Sequence, residues 1–157
     1  MKKNTKKITE YLYGAYGSNL NKTQMKVRCP NAKVIGSCEI SGHALKFRGV
    51  ADVETADQNS SVALGLWQIT KKCLKALDKY EGYPNLYTKR FLNTEHGKVM
   101  IYVMCDQDSV YPPCDSYLSS IADGYFDFDL NSRLLKAAVE HSYTHQNNGV
   151  SLDFMRV

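Results

Sequence analysis

At 157 residues, with 43% apolar and 23% charged, the chain is long enough for one domain with a sizeable core. Its formal charge of +4 is modest and gathers in Lys2, Lys3, Lys6 and Lys7; with no basic face and no recognisable motif beside that tail, nucleic acid is excluded as a partner. Five cysteines without CxxC spacing exclude a secreted disulfide framework, and no apolar run reaches transmembrane length, so a cytoplasmic chain with reduced thiols and no membrane partner is expected.

Residues 1–8 read as a disordered basic tail, and 9–157 as a single domain. A first strand is expected over Glu10–Tyr16, with Tyr11, Tyr13 and Ala15 on one face. Gly17-Ser18-Asn19 forms a sharp turn, in which glycine permits positive φ and Ser and Asn can cap the next helix. Asn21–Arg28 is that short helix, and it turns Leu20 and Met25 inward. Ala32–Glu39 is a strand with a bulge at Gly36. After a turn at Ser41-Gly42, Ala44–Arg48 alternates as a half-buried strand. The polar, acidic stretch Ala51–Ser61 reads as a loop.

Val62–Ile69 is dense and β-rich, a buried strand. Thr70 caps a helix over Lys71–Tyr80, with Cys73, Leu74 and Leu77 at helical spacing. Glu81-Gly82-Tyr83-Pro84 stops it. Leu86–Asn93 and Lys98–Cys105 form a hairpin around Glu95-His96-Gly97. Pro112-Pro113 breaks the chain ahead of a helix over Ser116–Asp123 that ends at Gly124. Leu130–His145 is a second amphipathic helix. Strands first and helices last define an α+β domain on a mixed or antiparallel sheet.

Three places carry chemistry-bearing residues. The turn after the first strand leaves backbone N–H groups pointing outward, a cradle for an anion; it is neither a P-loop nor a GxGxxG fingerprint. Glu81 follows a helix C-terminus and is flanked by Tyr80 and Tyr83. The helix dipole and aromatic desolvation both raise its pKa, which suits a general acid or base. Tyr117 stands in the first turn of the helix after Pro112-Pro113 and can offer its phenol to a ligand. From spacing alone, the plainer reading of each outweighs the functional one: a helix-starting turn, a solvated glutamate and a packed tyrosine. His141 and His145 lie i, i+4, the spacing of a two-histidine metal edge. No third ligand accompanies them, so they read as surface histidines, and neither a metal nor a cofactor is expected.

Together, three segments resemble the γ-glutamylcyclotransferase-like family, which includes the AIG2-like and butirosin-pathway cyclotransferases. Tyr13-Gly14-Ala15-Tyr16-Gly17-Ser18-Asn19-Leu20 is similar to its YGSNL substrate-binding turn. Leu77-Asp78-Lys79-Tyr80-Glu81-Gly82 resembles its L-D-x-x-E-G, and Pro113 with Tyr117, Ile121 and Gly124 its late P-x-x-x-Y-x-x-x-I-x-x-G. The resemblance implies a small mixed β-barrel-like sheet with flanking helices. It implies a small-molecule γ-glutamyl substrate, bound by Tyr13, Gly14, Ala15, Tyr16, Gly17, Ser18, Asn19 and Tyr117. Glu81 would be the acid/base that cyclises that substrate to 5-oxoproline. The alternative on the same scaffold is a non-catalytic small-molecule binding module. The tyrosine-rich segment Tyr83–Tyr87 then shapes the leaving-group side.

Overall fold

The computed structural model describes residues 10–147; the tail expected over residues 1–8 lies outside them. The elements run β1 Glu10–Ala15, a 3-10 turn Ser18–Leu20, α1 Lys22–Arg28, β2 Lys33–Ser41, β3 His43–Phe47 and β4 Ala51–Thr55. They continue with β5 Ser61–Thr70, α2 Lys71–Glu81, β6 Tyr87–Thr94, β7 Gly97–Met104, α3 Asp115–Asp127 and α4 Ser132–Thr144.

Five strands form one mixed sheet in the order β2-β5-β1-β7-β6, and β3 and β4 form a separate pair. The α+β class therefore holds, but the sheet is open rather than a closed barrel. β1 is its centre: Tyr13 lies opposite Trp67 of antiparallel β5 and opposite Met100 of parallel β7. The two strands that flank it read as near-continuous apolar runs, as strands covered on both faces do. Val62, Leu64, Leu66 and Ile69 of β5 and Val99 and Ile101 of β7 are fully buried. The bulge expected near Gly36 is present as a register shift between Val34 and Gly36.

Helix α2 is built as its sequence indicates. Thr70 Oγ1 accepts the Cys73 N–H at 3.3 Å, and Leu77 is fully buried, anchoring the helix on β5. The helix ends at Gly82, whose φ of 63° is left-handed. Its N–H returns to the Asp78 and Lys79 carbonyls, so a side chain there would be strained.

Three expectations are corrected. Ala51–Ser61 is not all loop: Ala51–Thr55 is β4, pairing Ala51 with Phe47 and Val53 with Leu45. Acidic residues made this stretch look solvated, yet Asp52 is fully buried. It accepts Arg48 Nε at 2.7 Å, the Met104 N–H at 2.8 Å and Gln107 Nε2 at 2.9 Å. Gly124 does not end α3, which runs on to Asp127. A Cβ at Gly124 would lie 2.4 Å from Leu20 Cβ, so the residue is glycine because the 3-10 turn packs against it. His141 is not a surface histidine: it is half-buried, with Nε2 3.3 Å from Lys46 Nζ and its ring stacked on His145 at 4.3 Å. Among the described residues no group of three or more side chains could hold a metal ion, and no helix is long and apolar enough to cross a membrane. All five cysteines are free thiols.

Candidate active site

The end of β1, the 3-10 turn, the start of β4, the end of α2 and the first turn of α3 converge on a cavity of about 490 Å³. Its wall contains Tyr13, Tyr16, Gly17, Ser18, Asn19, Glu81 and Tyr117, residues that come from three distant parts of the sequence. Gly14 and Ala15, expected to bind substrate, do not line it. Gly14 instead packs inside the sheet, where a Cβ would meet Val99 Cγ1 at 2.8 Å, and Ala15 is buried.

The turn has the expected form but reaches it differently. The Leu20 and Asn21 N–H groups close it onto the Gly17 and Ser18 carbonyls at 3.0 Å each. The N–H groups of Gly17, Ser18 and Asn19, which open the 3-10 turn, have no protein acceptor among the described residues. Gly17 has a φ of −120°, so positive φ is not its contribution. Its lack of a side chain is: a Cβ would sit 3.1 Å from Ala51 Cβ and 3.4 Å from the Tyr117 hydroxyl.

Glu81 is the last residue of α2. One turn earlier, Asp78 anchors the helix end. It accepts the Tyr102 hydroxyl at 2.6 Å and pairs with Lys89 Nζ at 2.9 Å, tying α2 to β7 and β6. Glu81 itself is half-buried and accepts Asn19 Nδ2 at 3.3 Å. Burial pushes its carboxyl up to about 7, and the nearby Arg28 charge opposes that rise. It is the one ionisable carboxylate on the wall.

The rest of the lining is largely phenolic. Six tyrosines (Tyr13, Tyr16, Tyr80, Tyr87, Tyr102 and Tyr117) border the cavity. Burial raises the pKa of Tyr13, Tyr16, Tyr87, Tyr102 and Tyr117, so near neutral pH they act as neutral hydrogen-bonding groups and not as bases. Most already have protein partners: Tyr16 donates to the Tyr102 carbonyl, Tyr87 to the Ala51 carbonyl at 2.7 Å, and Tyr117 accepts the Ala51 N–H at 3.0 Å. Ala51 is thus gripped from both sides by phenols of β6 and α3.

Sequence reasoning missed Val50, Ala51, Tyr80 and Tyr102 as lining residues. For Tyr102 a signal existed: a tyrosine in an apolar central strand needs a polar partner, and Asp78 supplies it. Ala51 carried no signal, because it acts through its backbone. Of the tyrosine-rich segment after Glu81, Leu86 and Tyr87 reach the cavity, but Tyr83 does not.

Sequence and fold both lead to a known family. The family described as gamma-glutamyl cyclotransferase, AIG2-like matches residues 13–127. The chain belongs to that family. It is similar in structure to an uncharacterized protein from Homo sapiens at 23% identity, with a TM-score of 0.69, covering 90% of this chain and 91% of that one. A protein titled gamma-glutamyl cyclotransferase matches at 22% identity with a TM-score of 0.69, covering 91% and 92%. YkqA from Bacillus subtilis shares the fold at 18% identity and a TM-score of 0.69, covering 90% of this chain and 56% of that one. No curated protein matches the sequence.

Proposed function

We propose that the chain is a γ-glutamyl cyclotransferase-type enzyme that converts a γ-glutamyl amide to 5-oxoproline and a free amine or amino acid. The observation that carries this reading is Glu81, a carboxylate poised near neutrality by burial, sharing one cavity with three unpaired backbone N–H groups. Family membership supports the same reaction class.

In this reading the N–H groups of Gly17, Ser18 and Asn19 hold the substrate's α-carboxylate or the developing oxyanion, within the stretch Tyr13, Tyr16–Asn19 and Tyr117. Ionised Glu81 takes one proton from the substrate's α-ammonium. The freed amine attacks its own γ-carbonyl carbon, so a C–N bond forms and a five-membered ring closes. The tetrahedral intermediate then expels the original amide nitrogen. Glu81 returns its proton to that nitrogen, and the second proton lost by the attacking nitrogen also passes to it. The products are the lactam 5-oxoproline and an ammonium ion, and every proton is accounted for. The nucleophile belongs to the substrate, so the protein's task is mostly positioning, which contributes about 7–11 kcal/mol for a well-held intramolecular attack. The reaction would run in the cytoplasm, where free cysteines stay reduced.

The test is release of 5-oxoproline from a panel of γ-glutamyl dipeptides and γ-glutamyl amines, comparing wild type with Glu81→Gln. Release by the wild type and its loss in the variant is the expected result. No release from any substrate, or equal activity in the variant, would falsify the assignment; saturable binding without turnover would favour the binding-module alternative.

A further inference from the structure

Arg28 is not part of the cavity wall, yet its side chain is held by three groups. Nη1 donates to Asn19 Oδ1 at 2.6 Å, Nη2 donates to Gln24 Oε1 at 3.0 Å, and the guanidinium carbon stands 3.7 Å from the centre of the Tyr80 ring. Tyr80 in turn bonds Ser18 Oγ at 3.1 Å. Arg28 closes α1 and Tyr80 lies in the last turn of α2, so the stack joins the two helix ends beside the turn. The short contact to Asn19 is the consequential one. A primary amide has an acceptor end and a donor end. With Oδ1 committed to the cation, Nδ2 is forced to the other side. There it donates to the Tyr13 hydroxyl at 3.1 Å and to Glu81 Oε1 at 3.3 Å. The Asn19 backbone is pinned separately, its carbonyl accepting Trp67 Nε1 at 3.1 Å.

We infer that Arg28 is a positioning residue for Glu81: by holding Asn19 Oδ1 it orients the amide so that Nδ2, not oxygen, meets the carboxylate. Without Arg28 the amide is free to turn, and an oxygen facing Glu81 repels the ionised form. Among the described residues Glu81 makes no salt bridge, so Asn19 is the physical link between cation and carboxylate. The phenols that face Glu81 from other elements are Tyr13 on β1, Tyr16 just beyond its end, Tyr87 on β6, Tyr102 on β7 and Tyr117 on α3. Their burial keeps them neutral near pH 7, and Arg28 is the cation that favours ionised Glu81.

The catalytic consequence rests on the proposed role of Glu81; the electrostatic one does not. The experiment therefore has two readouts. In the free protein, carboxyl-carbon NMR follows the titration of Glu81 in wild type, Arg28→Met and Arg28→Lys, each checked for folding by circular dichroism. Loss of the charge and of the oriented donor moves the Glu81 midpoint in Arg28→Met upward by about one pH unit, and Arg28→Lys restores part of it. In turnover assays kcat of Arg28→Met falls about fivefold at pH 7, recovers to within about twofold of wild type at pH 9, and KM stays put. In an Asn19→Leu background the Arg28→Met substitution adds little to the midpoint shift. An unmoved midpoint, or a shift that is fully additive with Asn19→Leu, overturns the inference; so does a change confined to KM. A shifted midpoint in a protein that turns over no γ-glutamyl substrate leaves the positioning role standing and removes the enzymatic reading instead.

Discussion

Asp52 and Glu81 are both carboxylates held away from water, one at the start of β4 and the other at the end of α2. Asp52 is fully buried and accepts a guanidinium, a main-chain N–H and a side-chain amide. Glu81 is half-buried and accepts one long bond from Asn19. The difference shows that burial alone does not make a carboxylate chemically available; the number of donors aimed at it does. Asp52 and its partner Arg48, only 2% exposed, spend their hydrogen-bonding capacity on joining β3, β4, β7 and the segment after β7. Glu81 keeps most of its lone pairs free and faces a cavity, where its carboxyl sits near neutrality.

The contrast can be broken by substituting each carboxylate with its amide. Glu81→Gln is expected to lower 5-oxoproline release by about 10³-fold or more while leaving the circular dichroism spectrum intact. The wild-type rate should rise as pH climbs through about 7, because only ionised Glu81 accepts the proton. Asp52→Asn is expected to cost about 2–3 kcal/mol in urea unfolding, since it removes one of the two carboxylates that pair with the buried Arg48 guanidinium and leaves only Glu54; a loss below about 1 kcal/mol would equate the two acids.

A subtler effect separates them by sign. The folded-state pKa of Glu81 lies above its ordinary value of 4.5. The folded protein therefore binds more protons than the unfolded chain between the two values, and ionised Glu81 destabilises it increasingly as pH rises. Removing the charge should accordingly stabilise the fold by about 2–3 kcal/mol at pH 8, with the gain fading to nothing near pH 4. Thermal melts of Glu81→Gln against wild type at the two pH values read this directly; a variant less stable at pH 8 would contradict it. The smallest effect concerns the wall around Glu81. Tyr117→Phe removes the acceptor of the Ala51 N–H and should cost about 1 kcal/mol in urea unfolding.

The two carboxylates also mark the boundary of what a chain reveals unaided. The strand–turn–helix of β1 to α1 and the whole of α2 are legible because their signals are local: alternation, a capping Thr70, a stopping Gly82. The pairing of the turn with Glu81 and Tyr117 is legible only through resemblance to a family, since nothing in spacing brings residues 17, 81 and 117 together. β4 is hidden because the residue that neutralises Asp52 lies four positions earlier on another strand's end, where a local pattern reads acid as solvent-seeking. Gly124 misleads for a related reason. A helix stop and a packing contact use the same residue, and only the proximity of Leu20 tells them apart. The open sheet, finally, depends on β2 and β6 staying unpaired with one another, a long-range fact without a local signature.

The meeting of Gly17 with Ala51 bears on how this scaffold can diversify. Two of the smallest side-chain positions in the chain face each other there, with the Tyr117 hydroxyl close behind. A methyl group added at Gly17 would press on Ala51 Cβ at 3.1 Å and narrow the chamber at that seam, so the turn or β4 would have to give by a few tenths of an ångström. The room in the chamber is therefore set in part at Gly17 and Ala51, positions other than the one that carries the carboxylate, so chamber size and the charge on its wall can vary by separate substitutions.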